Sequence, residues 1–261
     1  MHERHTNREK YFIEQGVVTG KYVIPFINEI KTIHKDLVIM EIGCGEAGNM
    51  KPFVDMGCKV IGIDLAPNKI ENGKKYYENH PHKNNLTLIA EDIYKVNPDS
   101  VEKADLLIMR DTIEHIPDQD KFLSIVKSFL KPDGKIFFGF PPWRMPFGGH
   151  QQMCVNKYLS LVPYFHLLPQ PLYKGILKLF KEPQNKVDGL MEVRDTRISI
   201  NHFLHLCEKH HFKIDKEVLY MINPNYELKF KMKPRPLDKI LNIPYIRDFY
   251  VTTCYYVISS K

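Results

Sequence analysis

The feature that most constrains this chain is the passage from Leu37 to Gly48. There a short apolar run, Leu37-Val38-Ile39-Met40, ends in Glu41-Ile42-Gly43-Cys44-Gly45-Glu46-Ala47-Gly48. A brief run without polar alternation reads as a strand buried on both faces, which means a parallel sheet covered by helices. The glycines let the backbone turn tightly and approach a ligand where a side chain would collide. Read literally, Gly43, Gly45 and Gly48 also satisfy G-x-G-x-x-G. Alone, that match says only that an adenosine-containing ligand meets a strand-to-helix turn.

The rhythm continues past the loop. A helix is expected from Gly48 to Gly57, a second strand at Lys59–Ile63, and a helix from Pro67 towards His80. Leu86–Ala90 and Asp105–Met109 read as the third and fourth strands. Phe122, Ile125, Val126, Phe129 and Leu130 line one helical face, and Lys131-Pro-Asp-Gly134 turns into a fifth strand at Lys135–Phe140. Further strands are expected at Lys213–Met221 and Tyr250–Ser259, with a helix at Ile200–His210 before them. The expected fold is therefore α/β, a Rossmann-like, doubly wound, mostly parallel seven-stranded sheet with an antiparallel last strand. We read one domain over residues 1–261, with a helical N-terminal cap at 1–36, broken into two helices at Gly16 and Gly20. A cofactor-binding core spans 37–142 and an insertion after strand five spans 143–195. The rest of the sheet lies in 196–261, with a second, irregular insertion at 223–248.

Composition excludes several classes. The 5 cysteines are scattered and form no C-x-x-C pair, as expected of reduced thiols rather than a disulfide framework or zinc ribbon. No run approaches the roughly 18–20 apolar residues of a membrane span. The charged start, Met1-His-Glu-Arg-His5, lacks the apolar stretch of a secretory signal, so a cytoplasmic protein is expected. The net charge of +6 carries no dense basic block, and no nucleic-acid partner is expected.

Three acidic positions bear on the cofactor. Glu41 ends the first strand, where a carboxylate suits ammonium and sulfonium charges better than a pyrophosphate. Asp64 ends the second, placed to accept hydrogen bonds from ribose hydroxyls. Glu91-Asp92-Ile93 follows the third, where an acid meets the adenine amino group. Taken in order, these motifs resemble the class I S-adenosylmethionine (SAM)-dependent methyltransferases from Glu41 to about Pro142, and onward to Ser259. The resemblance implies that Gly43, Cys44, Gly45 and Gly48 wrap the methionine end and that Asp64 holds the ribose. It further implies that Asp92 and Ile93 hold adenine with Leu65 on the ring, and that the Arg110 backbone faces the methionine moiety. Ala47 departs from the family, standing where a third glycine is common. S-adenosyl-L-homocysteine (SAH) would be the product. Two alternatives stay open: an NAD-dependent oxidoreductase using the literal glycine pattern, and a SAM-binding sensor without turnover.

For removal of a proton from an acceptor oxygen, the candidates are His115 and His150, since imidazole titrates near neutrality. Trp143, His150 and Gln151 are candidate acceptor contacts, in an insertion expected to build the acceptor pocket for a small molecule, apolar or lipid-like. Within it, Leu172, Ile176, Leu179 and Phe180 fall on one face of a helix carrying Lys174, Lys178 and Lys181. A lid packed on its own core is favoured over peripheral membrane contact. Lys229–Arg235 alternates basic with apolar residues, as a half-exposed strand would. His202 and His205 lack a completing carboxylate, and no metal site is expected. Oligomeric state is not legible in the sequence.

Overall fold

The computed structural model of the chain describes residues 7–261; the charged segment Met1–His5 lies outside them. The sheet has eight strands: β1 (Val38–Ile42), β2 (Lys59–Asp64), β3 (Leu86–Ala90), β4 (Ala104–Arg110), β5 (Leu130–Phe140), β6 (Phe212–Ile222), β7 (Arg235–Pro236) and β8 (Thr253–Ser260). Their order is β3-β2-β1-β4-β5-β8-β6-β7. The first five pair in parallel, and β8 runs antiparallel to both β5 and β6. This is the expected sheet with one strand more. The eighth, β7, is a two-residue pairing against β6 inside the segment expected to be irregular.

Strand parity divides the core. Met40, Ile42, Ile63, Leu107 and Phe138 face one side, under α5 (Gln119–Ile125) and α8 (Ile200–Lys209). Ile39, Val60, Leu106, Ile108 and Phe137 face the other, under α1 (Arg8–Val18), α2 (Ile24–Asn28), α3 (Lys51–Asp55) and α4 (Pro67–Tyr76). Side chains alternate along a strand, so a single residue of register decides which face each one meets.

The N-terminal cap differs from expectation. Gly16 and Gly20 do not break it; α1 runs through a π-helical turn at Thr19–Val23 into α2. The extra residue of a π-turn is common near functional sites. Here it brings Thr19 to the buried network described below.

The first insertion forms a satellite unit. After several 3-10 turns it contains α6 (Gln170–Leu179) and α7 (Gln184–Thr196), around its own core of Leu159, Phe165, Tyr173, Leu177, Val187 and Leu190. The packed face of α6 is not the expected one. Tyr173 and Leu177 are buried, one helical step round from the anticipated stripe, while Leu172, Leu179 and Phe180 remain exposed. Tyr173 claims the interior because its ring meets that of Phe165 at 4.7 Å. Lys229–Arg235 is likewise no strand until its last residue, Arg235, which opens β7. Its first residues close α9 (Asn225–Phe230), and Lys231 turns left-handed at φ 59°.

His166 pins this unit to the sheet. It is fully buried, its Nε2 lies 2.7 Å from the Trp143 carbonyl, and its ring meets Trp143 edge-on at 5.2 Å. Arg194 also donates to the His166 carbonyl. Burial pushes the imidazole down from 6.5 to about 4, against the pull of the Trp143 carbonyl. The unfolded chain therefore binds a proton between these values and the folded chain does not. The stabilisation is complete above the unfolded value and is lost as pH falls through that window, by up to roughly 3 kcal/mol. Denaturant unfolding at about pH 7 and about pH 4 should show a larger loss in the native chain than in His166→Gln. Equal losses would place the acid sensitivity elsewhere.

Candidate cofactor and acceptor site

The carboxyl ends of β1 to β4 share one edge of the sheet, and the strand order reverses between β1 and β4. Ligands of open α/β sheets bind in the crevice that such a reversal leaves. A cavity of about 590 Å³ lies there, its walls including Gly43, Asp64, Leu65, Asp92, Ile93 and His115.

Asp64 organises the glycine loop as well as facing the cavity. Its Oδ2 accepts from the Gly45 amide at 2.8 Å and its Oδ1 from the Ala66 amide at 2.9 Å. Each oxygen keeps a further lone pair for a hydroxyl. Leu65 is 73% exposed, an open apolar face beside Asp64. Asp92 accepts from the Tyr94 amide at 3.0 Å, and Ile93 is buried beside it. Lys69 and Tyr94 also line the cavity, and sequence reasoning did not single them out. Lys69 falls at the start of α4, one turn beyond the Asp64 tip, which was the available signal.

The loop resolves the Ala47 departure. Gly43 has φ 76°, and a Cβ there would lie 2.3 Å from Thr112 Cγ2. The third left-handed residue is Ala47 itself, at φ 64°, with its carbonyl held by the buried Tyr77 hydroxyl at 2.9 Å. Gly48 serves packing instead: a Cβ would lie 2.6 Å from the Phe12 carbonyl oxygen, so its absence lets α1 close over the loop. Cys44 is buried under the turn, and burial pushes its thiol well above the ordinary range.

Glu41 and Arg110 share one face of the sheet. Glu41 is fully buried and accepts from Asn49 Nδ2 at 2.7 Å. Arg110 Nη1 donates to Asn49 Oδ1 at 3.0 Å and to Thr19 Oγ1 at 2.9 Å, and its Nη2 donates to Asn225 Oδ1. Burial raises the Glu41 carboxyl to about 8, opposed by the Asn49 bond and by Arg110. Glu41 thus lies behind the loop rather than on the cavity wall. The Arg110 side chain lines a polar recess of about 70 Å³ with Tyr11, Glu14, Gln15, Asp111 and Asn225. Asp111 belongs to both recess and cavity. Within or beside the recess, Gln15 Oε1 and Glu41 Oε2 are buried acceptors without a donor.

The two candidate histidines meet. The rings of His115 and His150 lie 5.0 Å apart, although 35 positions separate them. His115 lines the cofactor cavity, where the protein around it and Lys69 lower its pKa. His150 has φ 56° and lines a neighbouring cavity of about 220 Å³. That cavity shares Phe147, Gln152, Tyr226 and Lys229 with a more apolar one of about 460 Å³ walled by Leu161, Met221, Phe230 and Met232. Glu114 stands beside the pair, and one donor atom from each of Glu114, His115 and His150 lies within 4.8 Å of the other two. Burial, then Asp111, raises the Glu114 carboxyl well above its ordinary value.

Two candidate acceptor contacts stand elsewhere. Trp143 packs against His166, Arg194 and Arg197, away from the cavities described. Gln151 is fully buried and donates to the Pro146 and Val162 carbonyls. Its neighbour Gln152 lines both the 220 Å³ and the 460 Å³ cavities, together with Tyr226 and Lys229 from the second insertion.

Residues 33–142 match a family described as a methyltransferase domain. A ubiquinone biosynthesis O-methyltransferase of Bartonella bacilliformis is 35% identical over 106 residues, 39% of this chain and 40% of that protein. A sterol 4-C-methyltransferase of Caenorhabditis elegans is 29% identical over 109 residues, 42% of this chain and 32% of that protein. The chain thus spans about two fifths or less of these curated relatives. A solved geranyl diphosphate methyltransferase in complex with SAM shares the fold, with a TM-score of 0.58 at 13% identity over 94% of this chain and 85% of that one. The strand order is that of the Rossmann-like methyltransferase fold, with the glycine loop and the acidic strand tips at the carboxyl edge of its sheet. Residues 33–142 are thus similar to methyltransferase domains, and the sheet around them has the fold of solved SAM-dependent methyltransferases.

Asp64→Ala removes the carboxylate that would bond the ribose and that ties Gly45 to Ala66. Charge-assisted hydrogen bonds contribute about 1.5–3 kcal/mol each, so affinity for SAH should fall by about 10–100-fold. Calorimetric titration of the folded variant, checked by its thermal unfolding, measures this. Unchanged affinity would move the ribose away from Asp64.

Proposed function

We propose that this protein transfers a methyl group from SAM to an oxygen or nitrogen atom of a small, apolar acceptor. The observation that carries this reading is adjacency. His115 lines one cavity and His150 the next, with their rings 5.0 Å apart, so a donor in the first and an acceptor in the second would approach each other at this pair.

The residues present fit SAM. Asp64 is placed for the ribose hydroxyls and Leu65 for one face of the adenine, with Asp92 and the Ile93 backbone at its edge. The recess fits the amino-acid end: Arg110 offers a cation to the carboxylate, and the orphaned Gln15 Oε1 offers an acceptor to the ammonium. When bound, SAM supplies a methyl group on a positively charged sulfur, open to attack from the side opposite that sulfur. The chain's part is placement, since holding two reactants in line supplies much of the acceleration. The apolar walls of Phe147, Leu161, Phe230 and Met232 hold the acceptor body. The histidine pair stands where an acceptor hydroxyl must lose its proton.

The curated relatives are named for ubiquinone biosynthesis and for sterol methylation, which supports an apolar acceptor. Neither the oxidoreductase nor the sensor reading gains support from them. No helix among the described residues is long and apolar enough to cross a membrane.

The test begins with SAH and NADH titrated into the purified chain, followed by labelled SAM with phenols and amines carrying apolar tails. We expect SAH binding without NADH, and label transferred to an apolar acceptor. NADH binding alone would overturn the proposal. A sharper check compares SAH with 5′-methylthioadenosine, which lacks the amino-acid end. Arg110→Met should weaken SAH by about 10-fold or more beyond whatever methylthioadenosine loses through the loosened loop, the size expected for a charged hydrogen bond. Equal weakening of both would make Arg110 a scaffold residue only.

A further inference from the structure

We propose that Glu114, His115 and His150 bind a divalent transition-metal ion at the junction of the cofactor and acceptor cavities, and that the acceptor is a hydroxyl compound that ligates it. The sequence pattern gave no reason to expect a metal there, because Glu114-His115 and His150 leave different strands.

Two independent observations carry the site. The first is geometric: one donor atom from each residue lies within 4.8 Å of the other two. Ligands at about 2.0–2.2 Å from a common centre stand no more than about 4.4 Å apart, so shifts of a few tenths of an ångström close the shell. The second is the state of Glu114. It is 3% exposed, and neither carboxylate oxygen has a hydrogen-bond partner. A buried, unpartnered carboxylate costs several kcal/mol unless a proton or a cation meets it. One of its oxygens lies within 4.8 Å of a ring nitrogen of each histidine, and imidazole nitrogens are donors to a metal. Elsewhere in the junction Asp111 adds negative charge and Lys69 opposes it.

The donor set selects the ion. Two imidazoles and one carboxylate suit zinc, manganese, cobalt or ferrous iron better than magnesium or calcium, which prefer all-oxygen shells. Three protein ligands leave positions open, as in catalytic rather than structural sites. A hydroxyl bound there becomes more acidic, because the ion's charge stabilises the alkoxide or phenolate. Its proton passes to solvent through the acceptor cavity. An oxygen lone pair then forms the new O–C bond to the methyl carbon as the C–S bond breaks, its electron pair remaining on sulfur in neutral SAH. This inference rests on the methyltransferase reading for its chemistry, and on Glu114 and the histidine pair for its ion.

The experiment titrates cobalt(II) into the full-length, untagged chain after chelator treatment, with and without SAH, and follows the visible d–d absorption. We expect one saturable cobalt(II) per chain. Glu114→Gln and His150→Ala should each weaken it by at least about 10-fold, since even outer-shell partners of metal sites cost about 10–100-fold. Both variants should retain SAH affinity, which certifies their fold; if Glu114→Gln does not fold, His150→Ala on the loop decides. Absence of a saturable band in a native chain that binds SAH would overturn the metal site and leave methyl transfer standing. Undiminished cobalt binding in a folded variant would overturn it as well. Cobalt bound at these residues in a chain that does not bind SAH would uphold the site and remove the methyltransferase reading.

Discussion

The rest of the structure depends on a buried polar junction between Glu41 and Arg110. Neither residue is adjacent to the other in sequence, and each closes an apolar strand run, Val38-Ile39-Met40 before Glu41 and Leu106-Leu107-Ile108-Met109 before Arg110. Parity brings them together: Ile39 and Glu41 on β1, and Leu106, Ile108 and Arg110 on β4, face the same side, with Glu41 paired in register to Ile108. Asn49 bridges them, donating to Glu41 and accepting from Arg110. Arg110 then reaches Thr19 in the N-terminal cap and Asn225 in the second insertion. One guanidinium therefore fixes the glycine loop, the helix that closes over it and the element that walls the acceptor cavity. Removing one partner of such a buried set leaves the others uncompensated, a penalty of about 3–5 kcal/mol. Such a network stabilises little for its size, and its use lies in specifying one arrangement of the loop.

The placement of the chemistry follows from the sheet. β4 and β5 are parallel neighbours, with Arg110 beside Gly139, so the chain leaves both strands at the same edge. His115 lies five residues beyond the first exit and His150 ten beyond the second. Their meeting across a long separation is thus a property of parallel pairing. The same edge carries Asp64 and the turn after β3, which is why the cavity lined by Asp64 and His115 adjoins the one lined by His150.

Much of this was legible in the sequence, and the reasons it stopped are physical. Buried parallel strands announce themselves as unbroken apolar runs, so β1 to β5 and the acidic tips could be placed. Packing across elements could not. Gly48 reads as part of a ligand loop, whereas its lost side chain serves the approach of α1 at Phe12. Gln151 and Gln152 are equivalent as letters, yet a left-handed turn at His150 sends one inward to the Pro146 carbonyl and the other to the cavity. The stripe of α6 was misplaced because Tyr173, half polar by type, buries its ring against Phe165. Trp143 looked like an acceptor contact because it was the only tryptophan in an aromatic insertion; it is the anchor of that insertion. Lys229 was missed because its segment alternates like a strand while closing a helix, and Tyr226 because it opens that helix inside a stretch read as irregular.

Under the proposed function the two cavities beyond His150 would divide acceptor recognition between them. Beside His150 the walls mix Gln152, Asn223 and Thr252 with Pro141, Met145 and Met153. Farther out, Leu161, Met221, Phe230 and Met232 enclose about 460 Å³ of largely apolar space with Lys157 and Lys229 among its walls. Each methylene buried there contributes about 0.8 kcal/mol. A tail of a few carbons then supplies several kcal/mol far from the reacting atom. Binding energy of that remote kind serves to hold the reacting oxygen or nitrogen in line rather than to act on it directly. Under the proposed function, the strand ends decide what reaction occurs, and the two insertions decide which molecule undergoes it.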